Sequence, residues 1–210
     1  MTRIACVALH TVILDVSRYR ALYPAALGQV MASVYGGTVM GWSAAFKQVR
    51  ADWDDYYADL DLAGDDGVAD MWEGLFRTTR ALFRLAGHGE PGHDELTALA
   101  RSLPGRACAR IDTVRDDARA RIAALKAQHY TLVVYAALSA EHIRGLLIGG
   151  TLQRDIHDVI GLDTAERFDF DAAYWQAAAL RFHVHPSGCL VIDPRADVQS
   201  HARAVGMNTL

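Results

Sequence analysis

The run Ile4-Ala5-Cys6-Val7-Ala8-Leu9-His10-Thr11-Val12-Ile13-Leu14-Asp15 is apolar almost throughout, interrupted by one imidazole and closed by an aspartate. A continuous apolar segment with β-branched residues reads as a strand buried on both faces, and such a strand belongs at the centre of a parallel sheet. It constrains the fold more than any other feature, because the rest of the chain must then supply flanking strands and right-handed crossover helices. Ligands of open α/β sheets bind at the carboxyl ends of the strands, so His10 stands where chemistry is expected.

After Asp15 the pattern becomes helical. Trp42, Phe46, Val49, Trp53 and Tyr56 or Tyr57 recur at steps of four and three, and Trp72, Phe76, Thr79 and Phe83 repeat the spacing. Gly36-Gly37, Gly64-Asp65-Asp66-Gly67 and Gly87-His88-Gly89-Glu90-Pro91-Gly92 read as breaks between helices. The expectation is a helical insertion over residues 16–105, with a Pro104-Gly105 turn near its return to a core made of 1–15 and 106–210. Such aromatic stripes are most simply core, and a bundle this rich in Trp and Tyr would roof any pocket at the sheet's carboxyl edge.

A helix from about Thr113 to His129, with Val114, Ala118, Ile122 and Leu125 on one face, leads to a second buried strand, Tyr130 to Ala137. Ser139 suits an N-cap, with Glu141 at the positive end of the helix that follows. Val159-Ile160-Gly161-Leu162 reads as a third strand, Ala172 to Phe182 as a helix, and Cys189-Leu190-Val191-Ile192-Asp193 as a fourth strand ending on a carboxylate. A helix from Arg195 to Val205 and a fifth strand at Met207-Asn208-Thr209-Leu210 close the chain.

Composition narrows the function classes. Of 210 residues, 51% are hydrophobic and 22% charged, which describes an ordinary globular protein able to bury a full core. A net charge of −4 argues against a nucleic-acid partner, since phosphate binding leans on basic surface. Lys47 and Lys126 are the only lysines, and this Arg- and Ala-rich usage points to a high-GC bacterial source. Cys6, Cys108 and Cys189 lack paired spacing and fit a reducing compartment. No signal-peptide pattern and no membrane-length apolar run is present, so a cytoplasmic location and no membrane association are expected.

The motifs resemble those of the haloacid dehalogenase-like superfamily, in its capped form, along nearly the whole chain. That family's first motif reads apolar-Asp-x-Asp-Gly/x-Thr-Leu-x-Asp. Here Ala8 takes the place of the nucleophilic aspartate and His10 that of the acid/base aspartate, while Thr11, Val12 and Asp15 complete the frame. The second motif, a strand ending in Ser or Thr, meets Val133-Val134 followed by Tyr135-Ala136. The third, a lysine before an aromatic-led helix, falls on Asp169-Phe170-Asp171-Ala172, so that Asp169 stands for the lysine. The fourth appears as Ile192-Asp193-Pro194 with Asp197, and only Asp193 keeps its catalytic identity. The resemblance implies a Rossmann-like α/β core with an inserted helical cap.

It also implies what is missing. The family's covalent route needs a carboxylate nucleophile, and Ala8 has none; loss of such a group costs on the order of 10⁴ to 10⁶ in rate. Mg²⁺ is held in the family by the first aspartate, a backbone carbonyl and the motif-four carboxylate, so Asp193 alone is a poor host. Asp169 in place of a lysine repels a phosphate dianion. Two functions follow as expectations. The first is a noncatalytic protein that binds a small-molecule ligand or a protein partner, without cofactor and with weak or no Mg²⁺. The alternative is a metal-independent enzyme in which His10 and Asp193 act as acid/base groups in a pocket with Ala8, Tyr135, Asp169 and Asp197. In that pocket a nearby carboxylate is expected to favour the charged form of His10 and raise its pKa. Homo-oligomerisation stays open.

Other candidates read as structure. His183-Val184-His185 precedes the fourth strand and so belongs to the opposite edge of the sheet. Gly145-Leu146-Leu147-Ile148-Gly149-Gly150 lacks nucleotide-binding spacing and reads as a helix end and turn. Asp52, Asp54, Asp55, Asp59 and Asp61 lack calcium-loop spacing and read as a solvated face.

Overall fold

Five parallel strands form one sheet in the order β3-β2-β1-β4-β5 in the computed structural model, which describes residues 3–62, 64, 66–166 and 169–210. The strands are β1 (Arg3–Ala8), β2 (Tyr130–Tyr135), β3 (Asp158–Ile160), β4 (Cys189–Ile192) and β5 (Asn208–Thr209). β1 is central, as its apolar sequence requires, and Ile4 to Ala8 are all buried. The first run does not stay a strand to Asp15, however. β1 ends at Ala8 and the chain turns through one π-helical turn, Leu9–Ile13. Pairing explains the difference: β2 ends level with Ala8, at Tyr135, and β4 level with Val7, at Ile192, so beyond Ala8 no neighbouring strand is left to bond. Leu9, Val12 and Ile13 remain buried, and their apolarity reflects burial in a turn instead of pairing in a sheet.

Between β1 and β2 lie α1 (Val16–Tyr35), α2 (Val39–Ala51), α3 (Trp53–Tyr57), α4 (Gly67–Ala86), α5 (His93–Cys108) and α6 (Ala118–Ala127). Asp15 caps α1 by accepting from the Arg18 N–H at 3.0 Å, and Thr38 caps α2 through Gly41 at 3.0 Å. Gly36 and Gly37, both at φ +76°, make the turn between them. The long aromatic stripe is broken at Asp52, so Trp53 and Tyr57 fall on a separate short helix. The first stretch of the helix expected from Thr113 is instead extended, because Val114 bridges Leu14 in antiparallel fashion and starts α6 only at Ala118.

Pro104-Gly105 is not a turn. Both residues lie inside α5, which runs unbroken to Cys108. Its partner is α7 (Ala140–Gly149), and there the glycine-rich segment finds its reason: a Cβ on Gly145 would lie 2.2 Å from the Gly105 carbonyl oxygen, and one on Gly149 2.2 Å from that of Ile111. The crossing is close enough to require bare backbone. The remaining helices are α8 (Leu162–Ala165), α9 (Ala172–Arg181), capped by Asp171, and α10 (Ala196–Ala204). One apolar cluster runs from β1 through Leu27, Met31, Trp42 and Phe83 of the insertion to Ile143 and Trp175. No helix among the described residues is long and apolar enough to cross a membrane.

Candidate functional site

The chain builds β2 and β3 on one side of β1 and then crosses to build β4 and β5 on the other, so the order reverses between β1 and β4. Ligands of open α/β sheets collect at that point, outside the carboxyl ends of the strands. Register places three of the residues singled out by sequence in one row there. Ala8 pairs with Tyr135, and Asp193 follows Ile192, which pairs with Val7. Side chains at one level of a parallel sheet project to the same face. Tyr135 therefore reaches across Ala8, whose methyl leaves the space open, and donates its hydroxyl to Asp193 Oδ2 at 2.6 Å.

Asp193 is fully enclosed, yet its carboxylate is well supplied with donors. Besides Tyr135 it accepts from Arg195 Nη2 at 2.6 Å, from Arg195 Nε at 3.1 Å to each oxygen, from the Arg195 backbone N–H at 3.0 Å and from Thr11 Oγ1 at 3.4 Å. A carboxylate offers about four lone-pair sites, so protein donors use its capacity. Burial pushes the Asp193 pKa up, but the Arg195 and Tyr135 hydrogen bonds outweigh it and hold the carboxyl below its ordinary value. Tyr135 is pushed far up, by burial first and by its bond to Asp193 second.

His10 lies in the π-helical turn and lines an open cleft of about 680 Å³ with Thr11, Asp15, Arg115, Asp116 and Pro194. None of the hydrogen bonds to Asp193 comes from it. Its pKa is lowered, not raised: protein packed around the ring disfavours the imidazolium, and the Arg195 guanidinium adds like-charge repulsion. The expected attraction fails because Arg195 has already neutralised Asp193. Asp169 is exposed, and among the described residues no hydrogen bond or ion pair joins it to His10; it is Phe170 from that segment that enters the site, with its ring under the Arg195 guanidinium at 5.0 Å. Asp197 is exposed in the first turn of α10.

Three participants escaped sequence reasoning. The sequence pattern marks Arg195 only as the start of a helix, and Phe170 only as a neighbour of Asp169. His142, in the first turn of α7, lies close enough to His10 to feel its charge; burial, then His10, lowers it to about 4. Its ring packs near Tyr19 and Tyr23 of α1, with centroids 6.3 and 6.4 Å away, joining core to insertion. Its place in the first turn follows from the Ser139 cap, whose hydroxyl oxygen accepts from the His142 N–H at 3.3 Å.

The remaining candidates stay structural. His183 and His185 are exposed, and His185 caps a short turn by accepting from the Ser187 N–H. A second depression, of about 440 Å³, shares no lining residue with the His10 cleft, and its cations Arg119 and Lys126 are already paired with Asp112 and Asp155. Among the described residues no group of three or more His, Cys, Asp or Glu side chains converges as a metal cluster.

No protein-family model and no curated protein matches the chain. Solved structures do. The chain is similar to a defluorinating L-2-haloacid dehalogenase, with 15% identity over 99% of this chain and 80% of the other and a TM-score of 0.56. It is similar to a Bacillus subtilis protein described as a HAD-hydrolase and solved with magnesium, with 15% identity over 100% of this chain and 88% of that one and a TM-score of 0.56. The L-2-haloacid dehalogenase of Xanthobacter autotrophicus with chloropropionic acid covalently bound aligns over 100% of this chain and 76% of its own, with 15% identity and a TM-score of 0.50. At these identities the likeness is one of fold: a Rossmann-like parallel sheet with an inserted helical cap, as the motif frame implied.

Proposed function

We propose that this protein has kept the haloacid dehalogenase-like scaffold and given up its hydrolytic chemistry, and that it works as a noncatalytic binding protein for a small molecule or a protein partner. One observation carries the reading: the Tyr135 to Asp193 hydrogen bond closes over Ala8, where the family's nucleophile would stand. The position holds an internal strut in place of a reactive oxygen.

Magnesium does not fit the residues present. Hard octahedral Mg²⁺ needs oxygen ligands with lone pairs to spare, and Asp193 has committed its own to Tyr135, Thr11 and Arg195. Ala8 supplies no second carboxylate, and Arg195 already brings the cation. A His10/Asp193 acid/base pair gains no support either, since neither residue bonds the other and both pKa values move down.

The test is an assay of the purified protein with Mg²⁺ on a generic phosphomonoester and on 2-chloropropionate. Turnover no higher than the uncatalysed background is expected for both. Ordinary enzyme rates that disappear in Asp193→Asn would overturn the proposal.

A further inference from the structure

Arg195 meets Asp193 through two nitrogens of one guanidinium. Its Nε lies 3.1 Å from each oxygen and its Nη2 2.6 Å from Oδ2. The guanidinium carbon lies over the Phe170 ring, 5.0 Å from its centroid, and Phe170 is itself packed edge-on with Tyr135 at 5.1 Å and Tyr174 at 5.0 Å. Tyr135 closes the circuit through its hydroxyl on Oδ2. A carboxylate that takes two N–H donors from one guanidinium, with an aromatic ring against the same group, is the recognition pattern of a flat, delocalised cation. A spherical divalent ion has no use for the ring and finds one carboxylate where it needs more oxygen.

We propose that the carboxyl edge of this sheet is a binding site for a planar guanidinium- or amidinium-type cation, and that the chain's own Arg195 is its resident occupant. The proposal rests on the reading of a site no longer built for metal-dependent hydrolysis and adds the kind of charge it takes. The Arg195 side chain keeps 42% of its surface exposed while Asp193 keeps none, so the occupant enters from solvent and the carboxylate forms the floor.

Arg195→Ala removes the occupant and leaves the floor in place. Wild type and variant would be melted in low-millimolar guanidinium chloride, magnesium chloride and sodium chloride at equal ionic strength, far below denaturing concentrations. Guanidinium is expected to raise the melting temperature of the variant above its value in sodium by roughly 2–4 °C, to leave wild type unmoved, and to have no counterpart in magnesium. Magnesium acting as strongly as guanidinium, or no difference between any of the salts, overturns the proposal. If Arg195→Ala does not fold, Arg195→Lys decides: it keeps the charge and loses the fork and the flat face, and it should melt well below wild type. A lysine variant as stable as wild type would show that any cation serves. Phosphatase turnover would remove the noncatalytic reading without touching this site, and a missing guanidinium effect would leave the noncatalytic reading standing.

Discussion

A methyl group at position 8 is what allows Tyr135 and Asp193 to meet across β1. Replacing it with a carboxylate would bring a second anion against an enclosed one, where like charges cannot both ionise cheaply. Ala8→Asp is therefore expected to destabilise the protein by about 2–4 kcal/mol, read from urea melts, instead of restoring a nucleophile. Adding His10→Asp should still leave phosphatase activity near background, because Arg195 keeps the cation position and Asp169 supplies no phosphate-pairing charge. Robust Mg²⁺-dependent turnover from that double variant would sink the argument. His142 makes a second prediction at this scale. Its folded pKa of about 4 lies below the ordinary imidazole value of 6.5, so as pH falls the unfolded chain takes up the proton first. Stability is then lost between about pH 6.5 and 4 and levels off below, amounting to about 3 kcal/mol for this one group. His10 shifts in the same direction and adds to the same limb. In His142→Asn the loss between neutral pH and pH 4 should shrink markedly, and an unchanged acid limb in denaturant melts would rule the residue out as its main source.

At the scale of elements, the crossing of α5 and α7 is the feature least readable from the residues alone. Pro104-Gly105 and Gly145 to Gly150 both carry turn composition, yet both mark where two backbones touch. Gly145→Ala should cost about 1–3 kcal/mol, because its Cβ would sit 2.2 Å from a backbone oxygen and the helices must part. Gly89→Ala, where nothing lies within 4 Å, should change the melting temperature little, and equal effects from the two would remove the packing explanation. What sequence did convey was local. The second and fourth strands, the Ser139 cap and the Asp193 strand end depend on period and on neighbours a few residues away, and they stand as read apart from one or two end residues. The length of β1 and the partners of Asp193 depend on contacts far along the chain: β1 stops where its neighbours stop, and Asp193 is bonded by Tyr135, which is distant in sequence. Arg195, only two residues away, was legible in principle, since a cation directly after a buried carboxylate can fold back on it.

Across the whole molecule, the insertion and the sheet do not have separate cores. The apolar cluster that holds Ile4 to Leu9 also holds Leu27 and Met31 of α1, Trp42 of α2 and Phe83 of α4, and Tyr23 with Tyr19 packs near His142 of the core. The two chain crossings between them are tied as well: Asp15 N–H donates to the Thr113 carbonyl at 2.8 Å and Arg115 N–H to that of Ile13 at 2.8 Å. Burial shared in this way makes each half's stability depend on the other, which favours one cooperative transition over two. The tryptophans provide the probe, since Trp42, Trp53 and Trp72 lie in the insertion and Trp175 in α9. In a Trp175→Phe variant the fluorescence reports the insertion alone, while far-UV circular dichroism reports the whole chain. Their urea midpoints are expected to coincide. An insertion that lost its fluorescence signal at clearly lower urea than the dichroism would unfold on its own, and the shared core would then contribute less than the single apolar cluster holding Trp42, Phe83 and β1 implies.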